Sequence, residues 1–487
     1  SNFLVGNGEA STGIMNQSGG SLTTAGNQLL IGNLGATGTY NLSGGTLTTI
    51  AGALGVTVGV NTGSTGTFTL SGTGTLAMPA TSTLQICRSD NSAATGVTGT
   101  FTQTGGTATV GILQIGGSNT TPANNANANA TLNLSGGVFT ATTFNQLAGA
   151  DNSVSTINIG GAADVTLPAF PTARGAGATA TIAFDGGTLR PTEASTTYLS
   201  GLTNAFIKAG GARFDTTNGS ITIAQSLLAD STSGGLTKDG INTLTLTGLN
   251  TYTGNTTVTG GTLELADNAQ LKFVLGAATG TNNKLTGTGS VTLNGDFVID
   301  TSAADALPSG TWILEDVTSL TGAYGDSFSI AGFTDAGGDK WTKANGAKTY
   351  TFDETTGTLT LASAGGFASW IAGSFANGTV PEGQRGPNDD FDKDGISNLI
   401  EYAIAGQDPT VANPSIGTFT ANTLSFTKRA DATGLTYAIQ ESTDLGNTDD
   451  WTEVAGGSYV NNPTTIAYTL TLPTPQKNFL RLQVLSN

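Results

Sequence analysis

Along the first half of the chain, apolar residues alternate with Thr and Asn in short runs, and the runs recur as copies of one phrase. The fullest copy is Thr39-Tyr40-Asn41-Leu42-Ser43-Gly44-Gly45-Thr46-Leu47-Thr48. Degraded copies start at Gly13, Thr67, Thr100, Thr131, Thr156 and Thr181, and from Thr39 onward the steps are 28, 33, 31, 25 and 25 residues. Alternation at period two predicts strands with one face in and one face out, and the Gly-Gly pair predicts a corner between two such strands. A two-strand unit cannot bury its apolar face alone, so the copies must stack, and periods of roughly 20 to 50 residues are those of solenoids. Helical repeats are excluded because apolar spacing at 3.6 is missing and each interior glycine costs a helix about 1 kcal/mol. The expected fold is all-β: a right-handed parallel β-helix (solenoid) whose uneven steps are absorbed at its corners.

The pattern changes after Leu265, where lysines and aromatics appear and all four tryptophans lie. Four segments are expected: β-helix repeats over 1–265, last rungs and a cap over 266–362, a helix–loop–helix over 363–410, and a small β-sandwich over 411–487. In the cap, strands are predicted at 312–314, 328–330, 350–352 and 358–361, with the aromatics as core closing an otherwise exposed rung. Phe367, Trp370, Ile371 and Phe375 fall at helical spacing and predict a helix over 366–375; a second is predicted over 397–405. Alternating runs at 418–420, 424–428, 436–440, 451–454, 466–472 and 479–484 predict the sandwich.

Charge narrows the partners. With 34 acidic and 17 basic residues the net charge is −17, which disfavours nucleic acid and anionic membranes. No apolar run reaches the ~18 residues of a membrane span. Cys87, the single cysteine, reads as a small buried hydrophobe. Phe3 to Gly8 echoes Leu29 to Asn33, so the chain starts in mid-repeat, which implies a removed signal peptide or further chain upstream.

The sharpest local motif is Asp390-Phe391-Asp392-Lys393-Asp394-Gly395-Ile396-Ser397-Asn398-Leu399-Ile400-Glu401. It satisfies the twelve-position EF-hand loop pattern. Ca²⁺ is a hard cation wanting six to eight oxygens. Asp390, Asp392 and Asp394 supply alternate carboxylates, Ile396 a backbone carbonyl, Asn398 a direct or water-mediated oxygen, and Glu401 a bidentate carboxylate from the following helix. Gly395 permits the sharp turn. Pro381 and Pro387 leave no room for a helix directly before the loop. The arrangement resembles the one-sided calcium loops of dockerin-like and thrombospondin-like modules, and the resemblance implies a structural Ca²⁺. The last segment is similar to fibronectin type III-like modules, which implies attachment.

Residues 235–265 carry a second resemblance. Gly235-Leu236-Thr237-Lys238-Asp239-Gly240, then Leu244-Thr245-Leu246-Thr247-Gly248-Leu249-Asn250-Thr251-Tyr252-Thr253-Gly254 and Gly260-Gly261-Thr262-Leu263-Glu264-Leu265, resemble the passenger-associated β-strand repeat of bacterial autotransporter-like proteins. That resemblance implies turns of a parallel β-helix on a large secreted or surface protein.

Three function classes follow. The chain has no histidine, which removes the commonest general base, Ser-His and Cys-His nucleophiles, and the usual zinc site. Glycoside hydrolysis needs only two carboxylates, and Asp164 and Asp185, 21 residues apart, are the pair close enough to one rung to stack as neighbours. A β-helix polysaccharide lyase or hydrolase is therefore an alternative, but no enzyme is expected. The outward Thr-x-Thr and Thr-x-Asn stripe offers a binding face for ice or polysaccharide; strand propensity explains it more simply, and the break at Ala183 favours propensity. The leading expectation is an extracellular or cell-surface structural protein: a fibre subunit or adhesive stalk, partnered by itself head to tail through open strand edges. A monomeric adhesin binding matrix polysaccharide is the alternative.

Overall fold

The computed structural model describes residues 2–24, 28–51, 55–88, 96–117, 127–318, 320, 322–346, 348–363, 366–374, 384–413, 415–430, 432–454, 458–470 and 479–486. It divides into two compact units: Ser1–Thr342 with Thr351–Thr360, and Lys343–Tyr350 with Leu361–Asn487.

The first unit is a parallel β-solenoid of about 11 turns among the described residues. The copies of the phrase lie on one another in register. Thr39 pairs with Thr67, Tyr40 with Phe68 and Leu42 with Leu70, and the next rung adds Thr100 and Phe101. The ladder continues through Thr131, Thr156 and Thr181 without slipping. Each turn contributes strands to three parallel sheets. One contains the phrase itself, the second begins after the Gly-Gly corner as in Thr46↔Thr75, and the third holds Leu29, Val56 and Leu84. The phrase strands thus stay in register despite unequal steps, and shifts such as those between Leu134, Gly136 and Val138 fall beside the Gly-Gly corner.

Burial follows the alternation. In Thr37–Thr49, Tyr40, Leu42 and Leu47 are fully buried, while Thr39 and Asn41 between them face out. Tyr40 stacks on Phe68 at 5.3 Å, and Phe68 on Phe101 at 5.0 Å, with both pairs of ring planes nearly parallel. Past Phe101 the same register position becomes Leu132, Ile157 and Ile182, so the interior ladder changes from aromatic to aliphatic. At the corner Gly45 has φ +74°, and an added Cβ would lie 2.2 Å from the Gly20 carbonyl oxygen. Only glycine lets the rungs approach this closely there. Buried amides satisfy the same corner: Gln17 Nε2 donates to Thr46 O at 3.1 Å, and Gln103 Nε2 to Val138 O at 3.0 Å.

The later end of the solenoid is filled by aromatics, as expected for core. Trp312 is fully buried, Phe273 meets Phe297 at 4.8 Å, and Phe297 meets Phe328 at 5.0 Å. One interior position is unusual: Glu315 stacks on the buried Leu285 and is itself 2% exposed. It accepts a hydrogen bond from the Tyr324 hydroxyl, its Oε1 has no partner, and burial, reinforced by Glu354, pushes its pKa up to about 8.

The second unit holds two short helices and two antiparallel sheets around one core. The sheets are Thr418–Thr420, Thr423–Thr427, Thr465–Thr469 and Ser458–Asn461, and Thr452–Glu453, Leu435–Ser442 and Phe479–Ser486. Sequence alternation anticipates six of these strands; Ser458–Asn461 is the seventh. Leu399, Tyr402 and Ile404 share the core with Phe426, Ile439, Ile466 and Leu482, so the loop–helix segment and the sandwich bury one another. The first helix is Phe367–Ser374; the expected end at Phe375, like Leu472 of a predicted strand, lies outside the described residues. The second helix is Asn398–Ala403, shorter than the expected 397–405. It stops because Ile404 turns extended, with φ −107° and ψ 136°, and bridges to Lys428.

Candidate metal centre

The loop 390–397 is shaped by its own carboxylates. Asp390 accepts the N–H of Lys393 at 2.8 Å and of Gly395 at 2.9 Å, and Asp394 accepts that of Ile396 at 2.8 Å. Lys393 and Gly395 take positive φ, +63° and +90°, which the tight turn requires. As a result Asp390, Asp392 and Asp394 each bring a carboxylate oxygen within 4.8 Å of the others. The helix that follows carries Glu401, 1% exposed, outside that close group but near enough for the three charges to act on it.

Electrostatics mark this cluster as strained without a cation. Burial, then the charges of Asp392, Asp394 and Asp390, push Glu401 up to about 8. Asp392 is likewise raised, first by burial and then by Asp394 and Asp390. Two buried oxygens, Asp392 Oδ2 and Asn398 Oδ1, lack any hydrogen-bond partner. A buried oxygen left unpaired costs about 1–3 kcal/mol, so the donor set fits a hard, oxygen-seeking ion. The Asn398 amide nitrogen points the other way and donates to Gln384 O at 3.2 Å and Gly386 O at 3.0 Å. Ile396 is half-buried at the turn.

Asn413 is the residue that the loop pattern does not contain. Its backbone N–H donates to Asp394 at 2.6 Å and its side-chain amide to Glu401 at 3.1 Å, tying two carboxylates together from outside the twelve positions. The one sequence signal for it is the Asp408-Pro409-Thr410 turn, whose Asp408 carbonyl also receives the Asn413 amide at 3.3 Å.

In the solenoid, the carboxylates considered for hydrolysis occupy different strand ladders. Asp164 stacks beside Thr188 and pairs with Arg190, which also binds Asp215 at 2.9 Å. Asp185 stacks beside Gly160 and accepts the N–H of Gly210 at 2.7 Å. Asp164 and Asp185 therefore do not stack on one another, because the second lies before a corner and the first after one.

Lys238, unmarked by the sequence reading as a site, is fully buried and points into the rod. Its ammonium donates to the carbonyls of Asp239, Gly240 and Gly260 at 2.9, 2.9 and 2.8 Å. Burial draws its pKa down to about 8, which still leaves it cationic at neutral pH, with three donors for three acceptors. Further round the same turn, Asn250 serves backbone groups of Leu227, Gly248 and Gln270, and the buried Tyr252 hydroxyl meets Thr256 at 2.7 Å. These polar residues fasten corners of a fold whose strands alone satisfy only their own ladders.

The fold is thus a parallel β-solenoid paired with a second unit built around an acidic turn. Residues 236–265, which contain Lys238, Asn250 and Tyr252, match the family described as the passenger-associated-transport-repeat. Comparison with curated proteins and with solved structures gives no match. Repeat and solenoid together fit an autotransporter passenger domain. Among the described residues no helix is long and apolar enough to cross a membrane.

Proposed function

We propose that this chain is an extracellular structural rod of the passenger type, a fibre subunit or adhesive stalk, and that it is not an enzyme. The observation that carries the reading is the parallel stacking that runs from the first rungs into the matched repeat at 236–265, with only local register shifts on the way. A structure whose interior is consumed by stacking, and whose sequence has no histidine, suits reach and attachment better than turnover. Secretion to the cell surface follows from the repeat's family.

In the same proposal the loop of the second unit holds a structural Ca²⁺. Asp390, Asp392, Asp394, the Ile396 carbonyl, Asn398 and Glu401 are its ligands, and Asn413 orients two of them. The ion neutralises charges that otherwise repel inside a shared core, so it stiffens this unit. Head-to-tail assembly draws support from the nature of a parallel rung, which presents unpaired backbone groups to any second copy. Electron microscopy of the protein with Ca²⁺ and with a chelator tests the whole reading. Fibres or rods are expected, with order in the second unit that depends on Ca²⁺; reducing sugar released from a polysaccharide panel would overturn it.

A further inference from the structure

The break in the outward stripe at Ala183 has a structure of its own. Outward Asn and Thr side chains form a ladder in which each amide donates to the rung before it: Asn41 to Asn16 at 2.8 Å, Asn133 to Thr102 at 3.4 Å, and Asn158 to Asn133 at 2.7 Å. The register places Ala183 next on Asn158, and Ala183 carries no donor. Among the described residues no hydrogen bond reaches the Asn158 Oδ1 acceptor at the end of the ladder. Beyond Ala183 the same register position holds Phe206 and then Leu228, both half-buried. A polar ladder thus meets an outward aromatic ring across a one-residue gap.

That gap opens into a groove of about 280 Å³ lined by Asn158, Gly161, Ala183, Asp185 and Lys208, among others. Gly161 contributes floor without a side chain. Asp185 spends one oxygen on the N–H of Gly210 and offers the other, and the Lys208 ammonium makes no hydrogen bond or ion pair among the described residues. The site therefore presents an acceptor amide, a carboxylate and an ammonium, with a ring on the adjoining rung, and its two charges balance.

We infer that this groove is a subsite for a neutral polysaccharide chain. A sugar ring has an apolar C–H face, which Phe206 matches, and equatorial hydroxyls that donate to Asn158 and Asp185 and accept from Lys208. A polyanionic glycan fits worse, because the chain carries a net charge of −17 and Asp185 stands in the groove. The inference extends the extracellular reading above and is independent of assembly, since a rod that never forms fibres still exposes this face.

The test is affinity electrophoresis of the full chain in gels cast with β-glucan, xylan, mannan, alginate or hyaluronan. At least one neutral polymer is expected to retard the protein. Phe206→Thr restores the stripe's chemistry without the ring, Ala183→Asn completes the amide ladder and fills the gap, and Lys208→Ala removes a surface donor. Each is expected to weaken retardation about tenfold, a change of ~1.4 kcal/mol in binding, with the thermal transition of the solenoid preserved. Lys208→Ala, lying at the rim, keeps the test decisive should either of the others disturb folding. Retardation by the polyanions alone, by none of the polymers, or undiminished in folded variants overturns the inference.

Discussion

Phe68→Ala tests the central claim that the phrase stacks rung on rung. The ring is fully buried between Tyr40 at 5.3 Å and Phe101 at 5.0 Å, so its removal leaves a hole that neither neighbour can fill without abandoning its own stack. Truncating a buried Phe costs about 3–5 kcal/mol, and the two lost ring pairs add about 0.5–1.5 kcal/mol each. The expected loss is about 4–8 kcal/mol. In a solenoid each rung touches only its neighbours, so this loss stays local. Hydrogen exchange read by mass spectrometry is the assay. Amides of Thr37–Thr49, Thr65–Leu70 and the 98–103 stretch should lose protection, while those of 236–265 keep theirs. Phe68→Leu is the control, since Leu132 occupies the equivalent position two rungs further on, and it should cost only about 1–2 kcal/mol. Uniform deprotection along the whole solenoid, or a loss below about 1 kcal/mol, would refute rung-by-rung stacking.

The remaining predictions concern buried charge. Glu315 has a folded pKa of about 8 against 4.5 unfolded, so the unfolded chain releases its proton first and stability falls as pH rises from about 4.5 through about 8. Glu315→Gln should abolish that slope and be the more stable protein at pH 9 by a few kcal/mol, measured by urea denaturation across pH; parallel pH profiles would count against it. Lys238→Met keeps the packed stem but strands three carbonyls, and should destabilise by about 2–4 kcal/mol in the same assay. A loss under ~0.5 kcal/mol would mean that water replaces the ammonium. Calcium removal, or Glu401→Ala, should lower the melting transition of the second unit and leave that of the solenoid unchanged. An unchanged transition for the second unit on chelation refutes the metal reading.

Sequence reading reaches furthest where one residue's role repeats. The spacing of Thr39, Thr67, Thr100, Thr131, Thr156 and Thr181 is the register itself, because every rung must place the same face inward. It reaches less far where partners are distant in sequence and occur once. Asn413 binds Glu401 from 12 positions away, and no periodicity announces it. Glu315 sits at an inward position that alternation would assign to an apolar residue, and only Tyr324 and the surrounding core reveal its environment. The strand Ser458–Asn461 escapes because, with three of its four residues exposed and Tyr459 half-buried, it carries no alternation to read. The acidic turn is legible for the opposite reason: the six oxygen donors proposed as ligands and a glycine lie within twelve residues, so local geometry alone brings three carboxylates together.

The in-register stack has a mechanical consequence. Rungs are joined mostly to their neighbours, and a contact such as that from Arg88 back across two turns to Gln28 at 2.7 Å is the exception, so tension peels them away from a free end one after another. Each detached rung releases 25 to 33 residues of slack, the spacing between paired threonines. At a reach of up to about 3.3–3.6 Å per residue, that is roughly 80–120 Å of new length per event. A rod of this kind lengthens in discrete increments under load and refolds onto its own exposed edge when the load falls, so that it dissipates a sudden pull instead of snapping.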